Sequence, residues 1–153
     1  MDWQAEMNVI KTIIGIIAMM ALSVGGMIYV FFRPESIMMF KWFPFLSVIH
    51  KQVRVFHTTH IPDFLVYSIP DGLWLFSYIL LIGVIWNFNY HRCFFLIMLL
   101  PVYAISHEIL QLYHLVPGYF DILDFVVYVV ATLVGIGVLV IFNHVYKFKN
   151  QVI

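Results

Sequence analysis

Long apolar runs alternate along the chain with short polar segments. Four runs approach the roughly 20 apolar residues that a helix needs to cross a membrane, and they cover about residues 12–32, 73–88, 93–112 and 122–142. Prolines divide the segment at 33–72 into pieces too short to span, yet it is too rich in aromatic residues for disorder. The pattern therefore predicts an all-α, polytopic membrane protein of about four transmembrane helices, with a structured interfacial segment between spans 1 and 2.

Composition supports a membrane protein and narrows its chemistry. Hydrophobic residues make up 63% of the 153 residues and charged residues 10%, whereas a soluble domain is about half apolar and roughly one quarter charged. The formal net charge is zero, so no nucleic-acid partner is predicted. Cys93 is the only cysteine, which excludes an internal disulfide and a multi-cysteine metal cage. We treat residues 1–153 as one membrane domain.

Basic residues near the span ends predict the orientation. Four spans place both termini on one side of the membrane, and that side carries Lys11, Arg92, Lys147 and Lys149. The positive-inside rule gives most weight to charges this close to a span. We therefore predict that both termini are cytoplasmic, which places most acidic residues on the outer side or in the outer half of the membrane.

Ionisable residues lie on both sides of a turn at 116–118, between the third and fourth runs. Glu108 and Gln111 are three residues apart, as are Asp121 and Asp124, so each pair shares one face of a helix. A charge in hydrocarbon costs at least a few kcal/mol and usually has a role. The spacing predicts two antiparallel helices that present acidic edges to one shared site.

Structural explanations exist for several of these residues. Acidic residues at a helix N-terminus are ordinary, which fits Asp121 and Asp71, and Ser68 can cap the second span. The adjacent His107 and Glu108 diverge by about 100° on a helix, which makes them a poor pair of metal ligands. No metal site and no cofactor are predicted, and no nucleophile or nucleotide motif is present.

A pattern around the turn resembles a known family. Glu108-x-x-Gln111, a short Pro-Gly turn, Phe120-Asp121-Ile122-Leu123-Asp124 and a helix of small residues through Gly135 are similar to the VanZ-like family of small bacterial membrane proteins. The founding member is associated with resistance to the lipoglycopeptide teicoplanin. The resemblance covers mainly residues 68–137. It implies a bacterial cytoplasmic (inner) membrane protein in which Glu108, Gln111 and Asp124 are signature positions, with Asp121 close behind.

Three positions depart from the family pattern. This chain has tyrosine or tryptophan where the family usually has Arg, Asn and His, namely at Tyr119, Tyr128 and Trp74. If the family's Arg neutralises the carboxylates, then Arg33, Lys51 or Arg54 must replace it here, or one acid stays protonated.

The leading hypothesis is that the protein binds, without catalysis, an amphiphile at the outer leaflet: a lipid, a cell-wall precursor, a glycolipid or a lipoglycopeptide. Its basic loop would hold a phosphate or carboxylate of the ligand. The predicted ligand-binding residues are Glu108, Gln111, Asp121, Asp124, His107, Asp71, Arg33 and Arg54. One alternative is an intramembrane enzyme for lipid-linked substrates with Glu108 and Asp124 as an acid/base pair, and another is a structural or assembly subunit. Membrane lipids and a second copy of the chain are the candidate partners.

Overall fold

The structure is a computed structural model that describes residues 3–34, 36, 38–54 and 61–151. Over these ranges the chain forms seven α-helices and no strand, which confirms the all-α prediction. The helices are α1 (Trp3–Phe32), α2 (Met38–Trp42), α3 (Pro44–Arg54), α4 (Asp63–Tyr67), α5 (Ile69–Ile85), α6 (Tyr90–Leu112) and α7 (Ile122–Gln151).

Four helical segments of the described chain are long and apolar enough to cross a membrane, as predicted. They are Gln4–Phe32, Asp63–Ile85, His91–Leu112 and Ile122–Val145. The first and fourth predicted runs extend beyond their predicted limits at one end only, since α1 ends at Phe32 and α7 begins at Ile122. The protein is therefore a multi-pass membrane protein, and its orientation stays a prediction.

The second span begins at Asp63, before the apolar run predicted from about residue 73, although α5 itself begins at Ile69, where Ser68 and Asp71 predicted a helix start. The short helix α4 continues into α5 across Ser68, whose N–H donates to the carbonyl of Phe64 at 3.0 Å. Pro70 lies just after this junction and has no N–H to donate. The junction therefore leaves backbone carbonyls without a helical partner. Ser68 makes no side-chain cap hydrogen bond, contrary to the prediction that it caps the span.

Helix α5 lies at the centre of the bundle. It packs against α1 on one side and against α7 and α6 on others, and α6 also packs against α7. In the second span 44% of the apolar window is buried, compared with 17% in the first and fourth spans. The outer helices instead expose large apolar side chains, such as Met20 and Leu133, which is the distribution expected of a bundle surrounded by lipid.

Small residues allow the helices to approach each other closely. Gly135 of α7 faces Ile79 of α5, and a Cβ at Gly135 would lie 2.9 Å from the Ile79 side chain. Ala18 of α1 is fully buried, and its carbonyl accepts a hydrogen bond from the Ser77 hydroxyl of α5 at 2.8 Å. These contacts agree with the small-residue helix predicted after the turn, and they hold α5 between its neighbours.

The segment predicted at 33–72 is helical over much of its described length. Helix α3 packs against the end of α1, where the His50 ring Nδ1 lies 2.7 Å from the carbonyl oxygen of Val30. Trp42 and Phe45 are exposed. The segment ends earlier than predicted because residues from Asp63 onward belong to the second span, and its location in the membrane interface stays a prediction.

Candidate functional site

The turn between α6 and α7 brings the two predicted acidic sets together. Helix α6 ends at Leu112, and the chain turns over residues 113–118. His114 and Gly118 both adopt left-handed backbone conformations there, with φ of 55° and 125°. A Cβ at Gly118 would collide with the side-chain amide of Gln111. Glycine is therefore required at the position where the chain folds back.

Asp121 caps α7, as its position in the sequence predicted. Its Oδ1 accepts a hydrogen bond from the Leu123 N–H at 2.8 Å, and its carbonyl accepts one from the Phe125 N–H at 3.1 Å. Its own backbone N–H donates to Glu108 Oε2 at 3.3 Å. Glu108 is only 6% exposed. The carboxylate of Glu108 thus joins the end of α6 to the start of α7.

Gln111 lies in the last turn of α6 and contacts the backbone of the loop that follows this helix. In one orientation of the side-chain amide, Nε2 donates to the carbonyl of Pro117 at 3.4 Å. If the amide is rotated by half a turn, the nitrogen donates to the Tyr119 carbonyl and to Glu108 Oε2, both at 3.2 Å. The rotated orientation satisfies more acceptors, so we assign it. The Gln111 amide then donates a hydrogen bond to the Glu108 carboxylate and to the backbone of the loop.

Arg33 follows α1 and binds the junction between α4 and α5. Its Nε donates to the Val66 carbonyl at 3.2 Å, and its Nη2 donates to the Tyr67 carbonyl at 2.6 Å. Nη2 also pairs with Asp71 Oδ2 at 3.2 Å. The guanidinium carbon lies 4.2 Å from the centre of the Tyr29 ring. In a regular helix the Val66 carbonyl would accept a hydrogen bond from the N–H of residue 70. Pro70 has no N–H, so Arg33 takes its place as the donor.

A cavity of about 290 Å³ lies between α5, α6 and α7. Its lining combines ionisable, aromatic and apolar side chains: Asp71, Trp74, Leu75, Leu100, Tyr103, Ala104, His107, Glu108 and Tyr128. His107 and Glu108 both line it, although adjacent residues on a helix diverge by about 100°. Tyr103 is 65% exposed, so the cavity opens to the surface of the bundle on the α6 side.

The other predicted site residues lie around this cavity. Gln111 lies in the last turn of α6 and Asp121 caps α7, and Arg33 reaches the cavity through its ion pair with Asp71. Asp124 is not among the residues that line the cavity. One Asp124 oxygen, Oδ1, is buried and has no hydrogen-bond partner among the described residues.

Arg54 ends α3, but its side chain lies outside the described part of the chain. The prediction that it binds a ligand therefore has no structural counterpart here.

Three aromatic residues of the cavity were missed as site residues by the analysis of the sequence. Trp74, Tyr103 and Tyr128 lie three or four residues from Asp71, His107 and Asp124, respectively. That spacing puts each aromatic residue on the same helix face as its ionisable neighbour. Helical spacing was thus the signal that could have found them.

The cavity is a place for polar recognition. Carboxylates accept hydrogen bonds and attract positive charge, a tyrosine hydroxyl donates and accepts, and aromatic faces attract cations. Among the residues that the structure describes, no group of three or more His, Cys, Asp or Glu side chains is arranged to hold a metal ion.

Comparison with known protein families, with characterised proteins and with solved structures finds no match for this chain. The resemblance to the VanZ-like family therefore has no support beyond the motif residues themselves.

Proposed function

We propose that the protein binds the polar head of an amphiphile in the cavity between α5, α6 and α7. The ligand would come from the outer leaflet and be a lipid, a cell-wall precursor or a lipoglycopeptide. The role would be VanZ-like, in envelope homeostasis or antibiotic resistance at the bacterial cytoplasmic membrane. One observation carries the proposal: a cavity within the spans is lined by Asp71, His107, Glu108 and Tyr128, where polar groups are costly without a partner.

The shape of the site favours an amphiphile over a small polar solute. Tyr103 lines the cavity and is also exposed on the outer surface of α6, beside apolar side chains such as Leu99 and Val102 that face the surroundings of the bundle. If the headgroup of an amphiphile occupies the cavity, the rest of the molecule would therefore emerge through this opening onto an apolar helix surface. An acyl chain attached to that headgroup could lie there in lipid.

Two other functions have an observation in their favour. The carboxyl group of Glu108 at the cavity and the buried Asp124 Oδ1, which has no hydrogen-bond partner among the described residues, fit an acid/base pair of an intramembrane enzyme acting on lipid-linked substrates. The hydrogen bond from the Asp121 N–H to Glu108 fits a purely structural role, in which the acids connect helices. Binding is preferred because the structural role explains the turn but not the cavity beside it.

The test compares Glu108→Gln with the matched variant Asp63→Asn, which neutralises an exposed carboxylate at the start of α4. The glutamine carbonyl can still accept the Asp121 N–H, so the turn is expected to form. Native mass spectrometry from mild detergent should find an amphiphile on the wild type and on Asp63→Asn, and not on Glu108→Gln. Turnover of a polyprenyl or phospholipid substrate that Glu108→Gln stops would instead favour the enzyme.

Antibiotic susceptibility tests the physiological part of the proposal. Cells that express the protein should differ from cells without it in sensitivity to teicoplanin or another lipid-targeting agent, and Glu108→Gln should remove the difference. If all three proteins carry only bulk lipid and expression alters no susceptibility, the binding function is wrong. Poor folding of Glu108→Gln in that case would point to the structural role.

A further inference from the structure

We propose that the cavity selects a positively charged headgroup, an amine or a quaternary ammonium. This inference rests on the proposed function, because it names the chemical class of the amphiphile that the cavity takes. It is carried by the aromatic walls of the cavity and by the signs of the charges in and around it.

Aromatic rings form a large part of the cavity wall. Trp74, Tyr103 and Tyr128 come from three different helices, α5, α6 and α7. Trp74 is held in place, since its Nε1 donates to the carbonyl of Leu22 at 3.2 Å and its ring stacks on Tyr29 with centroids 5.0 Å apart. Faces of such rings attract an ammonium group electrostatically, and several rings around one space are the usual way to bind quaternary ammonium.

The ionisable side chains of the wall, tyrosines aside, are two acids and one histidine, His107. Asp71 and Glu108 line the cavity, and no Lys or Arg is among its lining residues in the described part of the chain. Asp71 pairs with Arg33 at 3.2 Å, and Glu108 accepts the Asp121 N–H. A carboxylate at the wall, such as that of Glu108 when ionised, favours a cation over an anion, most strongly in surroundings of low dielectric constant.

Arg33 cannot serve as the binding group for an anionic head. The guanidinium is already occupied by Val66, Tyr67 and Asp71, and a phosphate could reach it only by displacing these partners. The sequence led us to expect that basic residues of the 33–72 segment would hold a phosphate or carboxylate. In the structure, Arg33 instead joins the end of α1 to the junction between α4 and α5, and the polar side chains that line the cavity are those of Asp71, His107, Glu108 and the aromatic residues.

The experiment compares amphiphiles that share one tail and differ only in charge. The full-length protein in maltoside micelles is titrated with dodecyltrimethylammonium, dodecyl phosphate and uncharged dodecanol, and native mass spectrometry counts the retained molecules. We expect the ammonium compound to bind at least about ten-fold more tightly than the phosphate, a difference of ~1.4 kcal/mol. Glu108→Gln should remove that preference.

A second pair of variants tests the aromatic wall. Tyr103→Leu removes a wall ring that is 65% exposed and should weaken retention of the ammonium compound several-fold. Tyr113→Leu removes an equally exposed ring that lies outside the cavity and should change nothing.

The outcomes separate this inference from the proposed function. If dodecyl phosphate or dodecanol binds as tightly as the ammonium compound and still depends on Glu108, the cavity binds amphiphiles but not by positive charge. The inference would also be overturned if the ammonium compound is retained equally well by the wild type, by Glu108→Gln and by Tyr103→Leu. If none of the three compounds is retained and native preparations carry only bulk lipid, the proposed function fails with it.

Discussion

Replacing Arg33 with methionine removes the guanidinium group that binds the end of α1 to the junction between α4 and α5. Methionine keeps an unbranched stem of similar length, so the packing against Tyr29 is largely retained. The variant loses the hydrogen bonds to the Val66 and Tyr67 carbonyls and the ion pair with Asp71. Asp71 would then remain in the bundle without its counter-charge.

The size of the effect follows from the burial of the pair. The side chains of Arg33 and Asp71 are 14% and 26% exposed, so both are mostly removed from solvent. Breaking a buried ion pair by removing one partner costs about 3–5 kcal/mol, and partial exposure of Asp71 places this pair at the lower end. We therefore expect Arg33→Met to lower the free energy of unfolding by about 3 kcal/mol. Arg33→Lys should lose about half as much, because one ammonium cannot reproduce the planar fork.

A double-mutant cycle with Asp71→Asn isolates the ion pair from the two carbonyl contacts. Asparagine has no charge to leave uncompensated. The loss in free energy of unfolding of the double variant should therefore be about 1–2 kcal/mol smaller than the sum of the losses of the two single variants. The measurement is reversible unfolding by SDS in maltoside micelles, followed by helical circular dichroism.

Arg92→Met is the control, since Arg92 is exposed at the start of α6 and should change stability by less than about 0.5 kcal/mol. If Arg33→Met matches this control, or if the two single effects simply add, the ion pair does not hold the junction and our account of it is wrong.

Two glycine positions give further predictions on stability, measured by the same unfolding assay. Gly118→Ala should destabilise the turn by more than about 1 kcal/mol, because a side chain is strained at a φ of 125° and collides with the amide of Gln111. Gly137→Ala is its control, with nothing within 4 Å of the added Cβ, and should be neutral or stabilising by up to ~1 kcal/mol; equal effects at both positions would contradict the strain argument. Gly72→Ala should cost about 1–3 kcal/mol through overpacking against Val127, and Val127→Ala in the same chain should restore part of the loss. No recovery in the double variant would show that the contact between α5 and α7 does not limit the packing.

Local features of the sequence were enough to predict the helical class and several helix ends. Span number follows from the length of apolar runs, which is a property of each run by itself. The end of α1 at Phe32 follows from the Arg-Pro sequence after it, and the start of α7 follows from Asp121, whose side chain caps the next residues along the chain. These signals act over a few residues, so they do not depend on which helices become neighbours.

The start of the second span could not be predicted in this way. The stretch from Ser68 to Asp71 predicted a helix start, and α5 does begin at Ile69 with Asp71 in its first turn. The span nevertheless begins at Asp63, because α4 precedes α5, and Arg33, from the end of another span, binds the carbonyl that Pro70 leaves free at their junction and pairs with Asp71. That interaction joins residues far apart in sequence, and only the packing of α1 against α5 creates it.

The site shows the same division. The sequence by itself determined which residues carry charge within the spans, and the short turn determined that Glu108 and Asp121 meet. It could not determine that Asp71 and Asp121, both acids at a helix start, would have different surroundings. Asp121 caps its own helix, whereas Asp71 pairs with Arg33 and lines a cavity with Glu108 and Tyr128. Capping is decided within one turn of the chain, but a cavity exists only where three helices meet, and their arrangement is set by tertiary packing.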